Sequence, residues 1–205
     1  MEDLSNKKEL FEIKPKVGKR LNFREIFGNN NPVHLEIGSG RGEYLLRKAE
    51  SHPEVNFLAL ELKNKRVKTI LRQLEPNIHP NVKLIRLYVD ERVTDFIPAE
   101  SFQTIYIIHP DPWPKKKHNR RRLIQSKFID VMHLLLKPDG TVIFSTDHQD
   151  YAMWIALHFL ERDDFSTVYK NGFTRIAPSD HVETYFEKLK KEEGFPPYFM
   201  EFRKV

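Results

Sequence analysis

The feature that most constrains the fold is a regular alternation of apolar runs with segments of helical spacing. Five runs have strand character, at residues 33–37, 56–60, 82–87, 102–108 and 141–146. Helices are predicted between them, at 43–50, at 63–74 and where Ile124, Phe128, Val131 and Leu135 recur at helical spacing. Strands that alternate with helices predict a parallel sheet with helices on both faces.

The C-terminal part of the chain changes this pattern. A helix at 149–161 is followed by strand-like runs near 165–169 and 198–203, which predict an antiparallel edge. The predicted fold is therefore α/β, with a doubly wound, mostly parallel sheet of seven strands. Residues 181–191 read as a polar connection between the last two strands.

Length and composition limit the class of protein. The 205 residues suit one domain over 32–205, preceded by an N-terminal arm at 1–31 that is free to be flexible. The arm carries Lys14, Lys16, Lys19 and Arg20, which suit either a solvated tail or contacts to a phosphate backbone. The chain has no cysteine, which excludes disulfides and thiol nucleophiles, and no apolar stretch of membrane-spanning length. We expect a cytoplasmic protein without a metal.

A glycine-rich loop follows the first strand. Gly38, Gly40 and Gly42 stand between that strand and the helix at 43–50, an arrangement in which the backbone approaches a ligand closely. The spacing departs from the dinucleotide fingerprint G-x-G-x-x-G, because the third glycine comes one residue early. With Glu36 two residues before the first glycine, the loop suits a ligand that carries both an ammonium and a carboxylate group.

Acidic side chains occur where predicted strands end. Glu36, Glu61, Asp111 and Asp147 follow four different strands, and ligands bind at the carboxyl ends of parallel strands. Glu61 ends the second strand, where an acid can accept hydrogen bonds from ribose hydroxyls, although an ordinary acid that opens the next helix explains it equally well. Their convergence predicts a binding site at this edge of the sheet.

The stretch that reads IYIIHPDPWPKKKHNRRRL joins a buried strand to a strongly basic segment. Pro110, Pro112 and Pro114 end the strand, and because a proline biases the residue before it towards extended geometry, Asp111 and Trp113 are predicted to be held extended on a stiff loop. The loop presents one carboxylate and one indole at the carboxyl end of the strand.

Positive charge is concentrated directly after this loop. Its cations lie within residues 115–122, in a chain of net charge +5: Lys115, Lys116, Lys117, Arg120, Arg121 and Arg122. Basic runs are usually solvated faces and proline clusters are usually turns. A rigid acid and an aromatic ring beside a phosphate-seeking patch, however, favour a site that handles a nucleic-acid base.

These motifs resemble those of the bacterial tRNA (guanine-N7-)-methyltransferases. The resemblance runs from about residue 33 to the C-terminus and is carried by four stretches: LEIGSGRG at 35–42, PDPWPK at 110–115 with its basic tail, STD at 145–147 and TYFE at 184–187. It implies a class I, Rossmann-like enzyme that uses S-adenosylmethionine to methylate N7 of guanine 46 in the tRNA variable loop.

The resemblance also implies residue roles. Cofactor contacts are expected at Glu36, Glu61, Asp111 and the glycine loop, with Asp111 also catalytic. Substrate contacts are expected at Lys115, Asp147, Thr184, Tyr185, Phe186 and Glu187. The chain departs from the family at two positions, since Tyr88 aligns with the usual adenine-reading acid or asparagine and Asp90 is the nearest acid, and His109 precedes Pro110 where phenylalanine or serine is usual.

Other functions share some of these features. A different S-adenosylmethionine enzyme would use the same glycine loop without needing the basic segment, and the glycine spacing disfavours a dinucleotide-dependent oxidoreductase. A non-catalytic RNA-binding module would explain the basic charge but leave the acids at four strand ends without a purpose. The sequence leaves open whether the protein is a monomer or a homodimer.

Overall fold

The computed structural model describes residues 2–16 and 18–205. Its strands are β1 Val33–Ile37, β2 Asn56–Glu61, β3 Val82–Arg86, β4 Phe102–Ile108, β5 Leu136–Thr146, β6 Phe165–Ser166 and β7 Tyr198–Lys204. Its α-helices are α1 Glu2–Phe11, α2 Phe23–Phe27, α3 Glu43–Ser51, α4 Asn64–Gln73, α5 Ser126–Leu135, α6 Gln149–Leu160 and α7 Tyr185–Glu192. Two short 3₁₀ helices cover Glu91–Asp95 and Lys116–Arg121.

The strands form one sheet in the order β3-β2-β1-β4-β5-β7-β6. Strands β1 to β5 pair in parallel, whereas β7 is antiparallel to both β5 and β6. The predicted doubly wound sheet with its antiparallel C-terminal edge is therefore confirmed. The strand order reverses between β1 and β4, and in such sheets ligands bind at this reversal, outside the carboxyl ends of the strands.

Both faces of the sheet are buried, which explains the continuous apolar runs of the central strands. In β2, Leu58 and Leu60 pack into the core on one face, while Phe57 and Ala59 pack into the core on the other. Successive side chains of a strand point to opposite faces, so a strand between two helical layers needs apolar residues at every position.

The first 31 residues contain more structure than their sequence pattern suggested. Phe11, at the end of α1, is only 2% exposed and belongs to one of the two cores. The backbone N–H of Ile13 donates to the carbonyl of Leu84 (2.8 Å), and that of Leu21 donates to the carbonyl of Phe96 (2.7 Å). The first contact is made to β3 and the second to the residue that ends the 3₁₀ helix Glu91–Asp95. The boundary between arm and domain stays a prediction.

The segment 181–191 was wrongly read as a polar connection, because most of it is helix α7. Thr184 is the N-cap, and its hydroxyl accepts a hydrogen bond from the backbone N–H of Glu187 (3.2 Å). The sequence carried this signal, since a threonine followed three residues later by glutamate is typical of a capped helix start. The other elements predicted from periodicity begin and end close to their predicted bounds, although β5 begins earlier and β6 is shorter.

Among the described residues, no helix has the length and apolar character needed to cross a membrane. The same part of the chain contains no group of three or more acidic, histidine or cysteine side chains placed to hold a metal ion.

Candidate functional site

The glycine loop, residues 38–42, joins β1 to α3 with all three glycines in the left-handed region, at φ values of 79°, 57° and 84°. Gly42 is required by packing, because a Cβ there would lie 2.8 Å from Cγ1 of Ile70 in α4. At Gly38 a Cβ would meet nothing within 4 Å. The loop is thus closed on the side of α4 and open on its outer side, where a ligand can approach the backbone.

Glu36 lies in β1 directly before this loop, and one oxygen of its carboxylate lacks a hydrogen-bond partner among the described residues. The residue is 3% exposed, and the oxygen without a partner is Oε2. Burial raises the pKa of the Glu36 carboxyl to about 8. A buried carboxylate in this state is stabilised by any cation that reaches it, so the site favours a ligand with an ammonium group.

Glu61, at the end of β2, connects the glycine loop to α4. Its Oε2 accepts a hydrogen bond from the backbone N–H of Gly40 (2.9 Å), and its Oε1 accepts one from the backbone N–H of Lys63 (2.8 Å). The side chain is 4% exposed and lies 3.7 Å from a guanidinium nitrogen of Arg66. These contacts agree with the helix-opening interpretation, and each oxygen retains a second lone pair for a ligand.

Tyr88 and Asp90 follow β3 at the same edge of the sheet but differ in their surroundings. Asp90 caps the 3₁₀ helix Glu91–Asp95 and accepts hydrogen bonds from the side chain of Arg92 at both oxygens, from Nε to Oδ1 (3.0 Å) and from Nη2 to Oδ2 (2.6 Å). Hydrogen bonds from Arg92 lower the pKa of the Asp90 carboxyl. Tyr88 is 61% exposed. The carboxylate of Asp90 is therefore already paired with Arg92, whereas the side chain of Tyr88 is exposed to solvent.

The Asp111 loop, residues 109–115, leaves β4 beside β1 and is supported by a buried arginine. Arg122 is 5% exposed, and its Nε donates to the carbonyl of Pro112 (2.9 Å). Its guanidinium lies over the rings of Tyr151 and Trp154, at 5.1 and 5.0 Å. Arg122 therefore packs inside the protein, which corrects its grouping with the phosphate-seeking cations, while Asp111 itself is exposed.

The geometry of the loop differs from the prediction at Trp113. This residue has φ of 45°, in the left-handed region, and not the extended geometry that the following proline favours. The indole lies under the guanidinium of Arg121 (5.0 Å) and against the ring edge of His118 (5.8 Å). The basic segment, residues 115–122, thus folds back over the indole as the 3₁₀ helix Lys116–Arg121.

The residues predicted to bind substrate divide into exposed and buried groups. Lys115 is exposed, as are Tyr185 and Phe186, at 69% and 44%. Glu187 is fully buried: its Oε2 lies 2.6 Å from Nε2 of His181 and its Oε1 lies 3.0 Å from Nζ of Lys191. Thr184 is occupied as the helix cap. Within 184–187, only the two aromatic rings are placed to meet a large substrate.

Asp147 lies at the end of β5, next to the strand that carries the Asp111 loop. Its Oδ1 is 3.5 Å from Nδ1 of His109, and His109 also approaches Glu187 in α7. The structure therefore brings Asp147, the start of α7 and the base of the Asp111 loop together. His109 was noticed in the sequence only as a departure from the family.

Helix α3 holds the segment before α7 through contacts that the sequence analysis missed. Lys48, 1% exposed, donates from Nζ to the backbone carbonyl (2.7 Å) and to Oδ2 (2.6 Å) of Asp180. The backbone N–H of Tyr185 donates to Oε2 of Glu43 (2.8 Å). The available signal was the position of Lys48 on the apolar face of α3, four residues after the buried Tyr44.

Comparisons with known proteins identify the family of the chain. A family model described as "Putative methyltransferase" matches residues 30–197. A tRNA (guanine-N(7)-)-methyltransferase of Geobacter metallireducens is 32% identical over 181 residues, which cover 88% of this chain and 85% of that protein. One of Syntrophotalea carbinolica is 39% identical over 136 residues, which cover 66% of this chain but only 59% of that relative.

Solved structures support the same fold. The aminoglycoside resistance methyltransferase NpmB1 superposes with a TM-score of 0.59 at 13% identity, covering 89% of this chain and 92% of that chain. At this identity the similarity concerns the fold alone. Together with the family model and the relatives, it shows that the chain is a member of the tRNA (guanine-N7-)-methyltransferase family with the class I methyltransferase fold.

Proposed function

We propose that this protein transfers a methyl group from S-adenosylmethionine to N7 of a guanine in tRNA, at position 46 of the variable loop. The observation that carries the proposal is the buried carboxylate of Glu36 beside an open glycine loop, with an Oε2 atom that has no hydrogen-bond partner among the described residues. The neighbouring strand β4 delivers the exposed Asp111 and the basic segment to the same edge of the sheet. The glycine loop with Glu36 fits a nucleoside that bears an ammonium group, and the Asp111 loop with the basic segment fits RNA.

The residues around the glycine loop fit the cofactor. Glu36 would take its ammonium group, the free surface beside Gly38 would admit its amino-acid portion, and Glu61 has lone pairs left for its ribose hydroxyls. Tyr88, exposed at the end of β3, would meet its adenine, because Asp90 is already bound to Arg92. When bound, S-adenosylmethionine supplies an electrophilic methyl group on a positively charged sulfur.

The chemistry proposed for Asp111 needs no proton removal. Guanine N7 carries an in-plane lone pair and is unprotonated near neutral pH, so the enzyme must mainly align it and stabilise the positive charge that develops on the base. An ionised Asp111 would orient the guanine through its N1 and N2 hydrogens. The attraction between the Asp111 carboxylate and the base would strengthen as the base becomes cationic.

The surface proposed for tRNA consists of the exposed cations of the basic segment and the exposed start of α7. Lys115, Lys116, Lys117, Arg120 and Arg121 would neutralise phosphates without reading sequence. Tyr185 and Phe186 offer rings on which an unstacked base can rest. Asp147, half-buried between these two regions, would accept a hydrogen bond from the substrate.

The test is methyl transfer to an unmodified tRNA transcript, followed by mapping of the modified base. We expect 7-methylguanine at position 46 and no product when that guanine is replaced by 7-deazaguanine, which lacks the nucleophilic nitrogen. A methyl group on another atom or position would contradict the proposal. Calorimetry with S-adenosylhomocysteine separates it from the non-catalytic RNA-binding alternative, which predicts no cofactor binding.

A further inference from the structure

His109 lies between two carboxylates in a strained and enclosed position. Its φ is 49°, in the left-handed region, and its side chain is only 7% exposed. Nδ1 lies 3.5 Å from Oδ1 of Asp147, and Nε2 lies 3.8 Å from Oε2 of Glu187. Neither ring nitrogen has a hydrogen-bond partner among the described residues, and each lies within ion-pair distance of a carboxylate.

The ring also contacts the aromatic part of the exposed surface. Phe186 packs edge-on against it, with the ring centroids 5.0 Å apart. His109 therefore touches three elements at once: the end of β5 through Asp147, the first turn of α7 through Phe186 and Glu187, and the Asp111 loop through its own backbone. The backbone N–H of His109 donates to the carbonyl of Ser145 (2.9 Å), which fixes the base of that loop.

A neutral imidazole cannot satisfy this arrangement. One of its nitrogens would carry a lone pair directed at a carboxylate, which is repulsive, whereas the protonated ring offers an N–H to each side. Burial opposes the charge, but the carboxylates of Asp147 and Glu187 outweigh it and raise the pKa of His109. The other titratable groups around Glu187 are His181 and Lys191, and Lys190 acts on Asp147.

We propose that His109 is a positioning residue whose protonated ring holds Asp147 and the first turn of α7 against the base of the Asp111 loop, and so sets how tightly the substrate RNA is bound. This inference rests on the proposed function, because it assumes that the RNA occupies this face. When the ring loses its proton, the tie between the three elements is lost. Deprotonation should therefore raise the KM for tRNA and leave kcat less affected.

The first experiment measures KM and kcat for tRNA methylation from about pH 6 to about pH 9. Saturating S-adenosylmethionine is needed because Glu36, with a pKa of about 8, titrates in the same range and acts on the cofactor. We expect the KM for tRNA to rise roughly tenfold along the alkaline limb in the wild type. In His109→Asn the KM should be high and independent of pH.

Asparagine is chosen because it tolerates the left-handed backbone without carrying a charge. The matched control is His133→Asn. His133 also lies near a carboxylate, with Nε2 3.6 Å from Oδ2 of Asp164. It stands in the last turn of α5, near the amino end of β5, whereas the proposed site lies at the carboxyl ends of the strands. The control should keep the wild-type profile. A wild-type alkaline limb in His109→Asn would overturn the proposal.

A second experiment needs no activity. An NMR titration of the ring in the RNA-free protein should place the pKa of His109 above the ordinary value for histidine, and Asp147→Asn should lower it. A ring that titrates below that ordinary value contradicts the proposal even if the Asn variant fails to fold. This titration does not depend on methyl transfer. If the protein methylated another atom, the proposed function would be refuted, and the NMR titration would still show whether His109 is charged.

Discussion

The glycine loop and the Asp111 loop lie at the same edge of the sheet but are stabilised in different ways. The glycine loop is held through its own amide donors: Gly38 N–H donates to the carbonyl of Leu60 and Gly42 N–H donates to that of Ser39, at 2.8 and 2.7 Å. Gly40 N–H donates to the side chain of Glu61. The Asp111 loop has three prolines and hence few amide donors. Its carbonyl at Pro112 is held instead by a side chain, that of Arg122.

This difference indicates how substitutions in each of the two loops will act. In the glycine loop the structural and ligand-facing groups are separate, since Gly42 packs on α4 while the Gly38 side stays open. In the Asp111 loop the position of the exposed carboxylate depends on residues that are distant in sequence or in neighbouring elements. Substitutions around the first loop should therefore act on the cofactor, and those around the second on chemistry and RNA.

The largest effect should come from Asp111→Asn, which keeps the shape of the side chain but removes its charge. We expect kcat to fall at least roughly a hundredfold, because the group that stabilises the developing positive charge is lost. The fold and the affinity for tRNA should change little. Asp139→Asn, at an exposed position near the start of β5, is the matched control. Near-normal turnover in Asp111→Asn would remove Asp111 from the mechanism.

A smaller effect is expected from Glu61→Ala on the cofactor side. Loss of the acceptor for the Gly40 N–H and for the cofactor ribose should weaken S-adenosylhomocysteine binding by about 1–3 kcal/mol, measured by calorimetry. Affinity for tRNA should stay unchanged, because Glu61 lies beside the glycine loop and not beside the Asp111 loop. Unchanged cofactor affinity would leave Glu61 only its structural role at the start of α4.

Arg122 and its exposed neighbours test the Asp111 loop from two sides. Arg122→Ala should cost about 1–3 kcal/mol in the free energy of unfolding, because a buried hydrogen bond and two ring contacts are lost.

The combined variant Lys116→Ala, Lys117→Ala and Arg120→Ala should keep its stability and flatten the dependence of tRNA affinity on salt. Equal salt slopes for wild type and combined variant would make the exposed cations a solvated face.

The smallest expected effect concerns Glu36 and pH. The folded protein holds the Glu36 proton with a pKa of about 8, against an ordinary value of 4.5, so the folded state binds more protons between these values. Stability must therefore fall as pH rises through this range. Glu36→Gln should remove this slope and raise the melting temperature at pH 8 by a few degrees relative to wild type.

The same variant should lose most of the stabilisation that S-adenosylhomocysteine gives to the wild type, because the ammonium group no longer meets a carboxylate. Thermal melting with and without the ligand measures both effects. A wild-type pH slope in Glu36→Gln would mean that Glu36 is not the group responsible.

The sequence by itself determined the parallel sheet, the glycine loop and the proline-bounded Asp111 loop. These features depend on residues that are close together in the chain: apolar runs at strand spacing, glycines at a turn and prolines after a strand. Helix α7 belongs to the same class, because its capping signal at 184–187 was present in the sequence although it was not read.

Only the tertiary structure decided which partners the buried charged residues have. Arg122 and Arg121 are neighbours in one basic run, yet the first packs on Tyr151 and Trp154 while the second stays exposed over Trp113. Lys48 likewise binds Asp180, a residue 132 positions later. A charge is buried only where distant elements supply its counter-charge, ring faces or carbonyls, and local sequence carries no record of such partners.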